Sequence, residues 1–255
     1  YSSYYERIND TLKQKEYLDK IFALGKEKKN NSILGKAHFE KAFYFWEKSP
    51  SQSKHHFELA EKFYKKDNNK RSLSDVYLQF GYLYQDKFND YNKALFNYIK
   101  YVDLFDKDDF SLINTYQTIA GIYKIQSNYE KALEYYVLSD KLFKKHKQTD
   151  SHHYGYLLNN FANTYKELKN YTESQKYYDQ SLKKFLSIEN HHYSSILYSQ
   201  KADLFLTMKD TKNALKNINL ATQEAEKIER CLEKENAHTT IGFAYYEMKN
   251  YSKAL

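Results

Sequence analysis

QSNYEKALEYY at 126–136 is rewritten along the chain as FNDYNKALFNY at 88–98, LKNYTESQKYY at 168–178, KDTKNALKNI at 209–218 and MKNYSKAL at 248–255. Self-similarity at a fixed spacing is the mark of stacked helix pairs, in which each pair buries its apolar face against its neighbours rather than in one globular core. The functional question therefore becomes which partner the stack holds, not which active site it carries.

The register is read on small residues. Ala42, Gly81, Ala120, Ala162, Ala202 and Gly242 follow one another at steps of 39, 39, 42, 40 and 40 residues. A second small residue comes 12 positions later in four units, as in Ala120 to Ala132 and Ala162 to Ser174, and 13 later from Gly81 to Ala94. Small side chains at these places let two antiparallel helices approach closely, since a large one at the crossing would force the axes apart. Large residues fall around them at helical spacing: Tyr116, Ile119 and Tyr123 on one helix, Tyr129 and Tyr136 on its partner. The next unit repeats this with Leu158, Phe161 and Tyr165, then Tyr171 and Tyr178. Most of the 28 tyrosines occupy such packing positions, so core packing rather than an aromatic ligand platform explains their excess.

This pattern resembles the tetratricopeptide repeat over residues 33–255. The resemblance implies an all-α fold, a right-handed superhelical solenoid of antiparallel helix pairs, with about six units and the last truncated. Residues 1–32 read as an N-terminal helical segment, an incomplete repeat. The period departs from the familiar length of about 34 residues that ends on a proline. Here it is about 40 and the only proline is Pro50, so longer helices or longer connections are expected.

With six glycines and one proline among 255 residues and 29% charged side chains, the composition suits a helical array with solvated faces. No stretch approaches eighteen consecutive apolar residues, so no membrane-spanning segment is expected. Tyr1-Ser2-Ser3 reads as neither a start nor a signal peptide, and Leu255 stops inside the helix that MKNYSKAL opens. A piece of a longer protein is the expectation.

Net charge is +7, concentrated in residues 1–70, where 15 basic residues face 10 acidic ones. Only Arg7, Arg71 and Arg230 are arginines. Base reading leans on arginine's planar fork, so a lysine excess argues against sequence-specific nucleic-acid binding. Lys65-Lys66 and Lys144-Lys145 are read as complements to helix C-terminal dipoles. Cys231 stands alone and is read as inert. His152-His153 and His191-His192 precede neighbouring first helices, where two pairs on one edge would suit a transition metal or a pH sensor; capping and solvation are the favoured reading, and no metal or other cofactor is assigned. No phosphate loop, GxSxG elbow, zinc ligand set or carboxylate pair accompanies them, so the chain is read as no enzyme.

The resemblance also implies a ligand face. In tetratricopeptide arrays the first helix of each pair lines a concave groove, at positions 2, 5, 9 and 12 when the small residue is position 8. Carried over, these are Asp75, Leu78, Tyr82 and Gln85; Asn114, Gln117, Gly121 and Lys124; Tyr156, Asn159, Asn163 and Lys166; and Ile196, Ser199, Asp203 and Leu206. Their amides both donate and accept, which suits the backbone of an extended peptide or protein ligand. A narrower resemblance is to the sensor regions of bacterial tetratricopeptide regulators with an AraC-type helix-turn-helix domain. It implies signal sensing or self-association on the outer, periplasmic side of the cytoplasmic membrane. The alternatives are a cytoplasmic peptide-pheromone receptor repeat domain and a plain docking scaffold.

Overall fold

A helix of 17 residues and a three-residue joint, taken twice, make the 40-residue step: Tyr171–Ser187, residues 188–190, His191–Thr207 and residues 208–210. The long period is thus taken up by the helices and not by the connections. The computed structural model describes residues 11–229 together with 234, 238, 239, 241, 242, 245 and 246. Arg230, Cys231 and the MKNYSKAL segment at 248–255 with Ala254 lie outside the described residues.

Among the described residues there are eleven helices and no strand. The chain divides into two compact units at Leu112/Ile113. The first contains α1 (Thr11–Glu27), α2 (Asn31–Phe45), α3 (Pro50–Lys66), α4 (Lys70–Asp86) and α5 (Tyr91–Val102), each packed on the next. α6 (Leu112–Ile125) begins at the boundary. The second unit continues with α7 (Tyr129–Lys145), α8 (His152–Glu167), α9 (Tyr171–Ser187), α10 (His191–Thr207) and α11 (Thr211–Glu226), again neighbour on neighbour.

The joints explain the repeated Asn and Asp. Before Asn170, Lys169 takes a left-handed φ of 59°, which lets the Asn170 N–H donate to Tyr165 O at 2.9 Å and the Lys169 N–H to Lys166 O at 2.9 Å. That closes α8 on its own last carbonyls. The Asn170 side chain then accepts from the Glu173 N–H at 3.3 Å, opening α9. One residue ends one helix through its backbone and starts the next through its side chain. The same arrangement recurs at Asn30, Asn69, Asn128, Asn190 and Asp210, each preceded by a non-glycine residue of positive φ. α3 and α8 depart from it: Pro50 opens α3 at its first turn with no side-chain cap from Ser49, and Ser151, with no positive-φ residue directly before it, caps α8.

Ala42, Ala60, Ala94, Ala120, Ala132, Ala162, Ser174, Ala202 and Ala214 are all fully buried. At Gly81 a Cβ would stand 2.3 Å from Cε1 of Tyr98, so α4 and α5 meet through bare backbone against an aromatic ring. Within the second unit, Ser174 Oγ donates to Ala162 O at 2.8 Å and Ser181 Oγ to Gly155 O at 2.8 Å, bonds that reach across only where axes lie close. Ser139 Oγ does the same toward Ile113 O at 3.3 Å, tying α7 to α6. Tyr98, Tyr136 and Tyr178 fill equivalent places on the second helices at 0%, 2% and 0% exposure. Burial raises all three phenols above the ordinary tyrosine range, Tyr136 to about 12.

Candidate functional site

In the second unit the expected ligand positions of α6, α8 and α10 form a polar strip. Lys166 Nζ reaches Asp203 Oδ2 at 2.6 Å, joining α8 to α10. On the α6 side stands Lys124, half-buried, its ammonium held below the ordinary lysine range first by desolvation and then by Lys166, with Glu167 opposing. One turn before it, a Cβ on Gly121 would meet nothing within 4 Å. Bare backbone thus faces open space beside a partly desolvated cation. Gln117 is half-buried and Asn114 exposed on the same helix.

Other positions of the expected set are engaged in packing. Asn163 Oδ1 accepts from Tyr178 OH at 2.7 Å, and its Nδ2 donates to both the carbonyl and the Oδ1 of Asn159 at 3.1 Å. Asn159 is 6% exposed and Ser199 3%, with Ser199 Oγ donating to Ser195 O. Tyr156 packs its ring against Tyr193 and Phe185 at centroid separations of 4.5 and 5.1 Å. Ile196 and Leu206 are half-buried. The amides of α8 therefore satisfy a buried tyrosine hydroxyl before they face any ligand. Position-by-position transfer missed this because the partner, Tyr178, lies 15 residues along, on another helix.

In the first unit, α4 shows the same economy. Tyr98 OH donates to Gln85 Oε1 at 3.2 Å, and the Tyr82 ring meets that of Tyr98 edge-on at 5.6 Å. Asp75 is exposed and Leu78 half-buried. Glu167 is the residue of the strip that the sequence reading did not select. It follows Lys166 directly, and only the approach of α6 gives it a role.

The histidines sort differently from their order in the sequence. His152 and His153 are exposed, their rings 4.0 Å apart, while His191 Nδ1 lies 2.7 Å from Glu224 Oε2. The close pair is elsewhere: His38 Nδ1 and His56 Nδ1 face each other at 3.0 Å between α2 and α3. Their ring centres are 5.2 Å apart and 26° from parallel, so the two nitrogens lie nearly on the line between the rings, where a neutral pair bonds through one Nδ1–H donating to the other Nδ1. Phe63 lies beside His38 and Phe45 beside His56 with near-parallel rings, and Phe22 of α1 meets His38 edge-on. Burial, then Lys41, holds both imidazoles down at about 4, with His55 adding a smaller push. Among the described residues no three or more His, Cys, Asp or Glu gather as metal ligands.

The lysine pairs are tied locally: Lys65 to Glu61 at 2.8 Å and Lys144 to Asp140 at 2.6 Å. Among the described residues no helix is long and apolar enough to cross a membrane.

No curated protein matches the chain. Among solved structures it is similar to the apo form of RapI, at a TM-score of 0.76 and 15% identity over 93% of this chain and 68% of that one. It is also similar to a signal-transduction ATPase with numerous domains and a tetratricopeptide repeat sensor from Pyrococcus horikoshii. There the TM-score is 0.70 and the identity 16%, over 88% of this chain and 36% of the other. BtubC (BKLC) from P. vanneervenii is matched at a TM-score of 0.51 and 17% identity, over 89% of this chain and 86% of that one. At such identities the likeness speaks for the helical-repeat fold alone. Residues 155–227, from α8 through α11, match the tetratricopeptide repeat family.

Proposed function

We infer that the second unit holds an extended peptide or protein segment along the strip from Gln117 to Asp203, without catalysis. The observation that carries this reading is the uncovered backbone at Gly121 beside half-buried Lys124. A desolvated ammonium favours its charged form when an oxygen acceptor approaches, and a floor without a side chain lets a peptide backbone come close. Lys166 and Asp203, already paired, fix the far end and offer both signs of charge.

A peptide library screened against the chain supplies the ligand, and two variants then test the surface. Lys124→Ala is expected to weaken binding about tenfold, the scale of one charge-assisted hydrogen bond. Gly121→Leu covers that backbone with a side chain and is expected to block the ligand while the far-ultraviolet circular dichroism stays unchanged. If both variants bind as the parent does, the strip is not the site.

The finer reading is a signal-sensing or self-association region within a bacterial transcriptional regulator. The likeness to a signal-transduction protein whose repeats form a sensor supports the sensing half of it. Sequencing the parent gene's flanks decides the context. A downstream apolar helix with a helix-turn-helix domain supports the regulator, an upstream DNA-binding domain the pheromone receptor, and neither of them a docking scaffold.

A further inference from the structure

The face of α10 that turns away from the strip carries a second stripe. Tyr198, Lys201, Phe205 and Met208 repeat the spacing of Ile196, Ser199, Asp203 and Leu206 from a start two residues later. Two residues turn a helix by about 200°, so the stripes lie on opposite faces. The second stripe floors a groove of about 790 Å³ whose walls are α9 and α11. Leu182 and Phe205 are nearly covered, whereas Leu186 and Met208 leave 39% and 41% of their surface to solvent.

The charges of the groove do not balance. Asp179 is paired with Lys201, and the Asp210 carboxylate is engaged by the backbone N–H and side-chain amide of Asn213 at 3.0 and 2.6 Å. Lys183 on the α9 wall and Lys216 on the α11 wall are exposed, and among the described residues neither has an ion-pair partner. A floor of Tyr198, Phe205 and Met208, crossed by the Lys201–Asp179 pair, thus runs between two walls that each present an unpaired lysine.

We propose that this groove docks an amphipathic helix of a partner protein, its apolar stripe on Phe205 and Met208 and acidic residues on its flanks toward Lys183 and Lys216. The walls decide between a helix and an extended strand. They are helices whose backbone groups are already bonded internally, so they offer a strand no ladder partners. A helix satisfies its own backbone and presents one apolar stripe with charged flanks, the complement of this surface. The proposal is independent of the peptide strip, which uses the other face of α10.

The test uses the whole chain and a fluorescent probe peptide of about five helical turns. The probe is built from Leu, Ala and Glu, with Leu at helical spacing and Glu on both flanks; a second version replaces Glu by Lys. Anisotropy titration is expected to give saturable binding of the acidic probe and about tenfold or weaker binding of the basic one. The double variant Lys183→Glu/Lys216→Glu should reverse that preference, and Met208→Asp should weaken both probes, while Lys141→Ala, an exposed lysine of α7 outside the groove and the strip, changes nothing. The proposal is overturned if the acidic probe fails to saturate, or if its affinity ignores both groove variants. It is equally overturned if sedimentation shows the parent as a dimer that Met208→Asp dissociates, since a second copy of this chain then occupies the groove.

Discussion

Gly81 and Gly121 are both helical glycines on first helices, yet the structure gives them opposite roles. At Gly81 an added methyl would overlap the Tyr98 ring, and Tyr98 is fully buried and cannot swing away. Gly81→Ala is therefore expected to cost roughly 1–3 kcal/mol through overpacking, read as a lower urea midpoint at unchanged slope. At Gly121 the space is open, so Gly121→Ala should stabilise by about 0.5–1 kcal/mol, the helix-interior difference between the two residues. Equal effects of the two changes would contradict the packing described. Asn163 makes a related point. Because it accepts from buried Tyr178, Asn163→Ala strands that hydroxyl and is expected to destabilise by about 1–3 kcal/mol, apart from any effect on a ligand. A reduced affinity in Asn159→Ala/Asn163→Ala has to be read against that loss, whereas Lys124→Ala does not carry it.

At the scale of elements, the joints and the α2–α3 contact each make a claim. A non-glycine residue in the left-handed region strains its backbone by roughly 1–2 kcal/mol, partly offset by the entropy a glycine would lose. Lys169→Gly should thus stabilise by about 0.5–1 kcal/mol, whereas Asn170→Ala removes a cap and should cost about 0.5–2 kcal/mol. Thermal melts of the two variants should move in opposite directions. For α2 and α3, His38 and His56 take up protons near 4 when folded, against about 6.5 when unfolded. Between those values the unfolded chain binds more protons, so the stability from this pair is present above about 6.5 and is lost as pH falls toward 4. A second proton would also set two N–H groups against each other across 3.0 Å. Lys41 of α2 and His55 of α3 add positive charge and oppose protonation further. Melting temperature is expected to drop across that window, and His38→Phe/His56→Phe, which keeps rings in the contact, should flatten the dependence. Identical pH profiles for parent and variant would place the acid sensitivity elsewhere.

For the whole molecule the positive balance of +7 sets the expectation for nucleic acids. Many lysines are held by carboxylates on helices or on the turns between them, Lys65, Lys87, Lys144, Lys166 and Lys184 among them. Titration with random duplex or single-stranded DNA near physiological salt should show no tight saturable complex, only weak binding that falls steeply with salt. Binding that survived the salt and preferred one sequence would refute this. The sequence by itself determined the repeat, its register and its helical class. Those rest on local rules: the spacing of Ala120, Ala162 and Ala202 and the period of the aromatic faces. It also placed the tyrosines in the packing, because Tyr98, Tyr136 and Tyr178 keep one distance from their small neighbours. The tertiary structure alone decided which polar side chains are open. Asn163 and Gln85 look like ligand groups on their own helices, but the hydroxyls that claim them arrive from the partner helix. The same is true of His38 and His56, 18 residues apart, and of the groove between α9 and α11, whose walls sit 40 residues apart in register. Hydrogen bonding and burial depend on what a neighbouring helix brings, and no single-helix pattern records its neighbour's side chains.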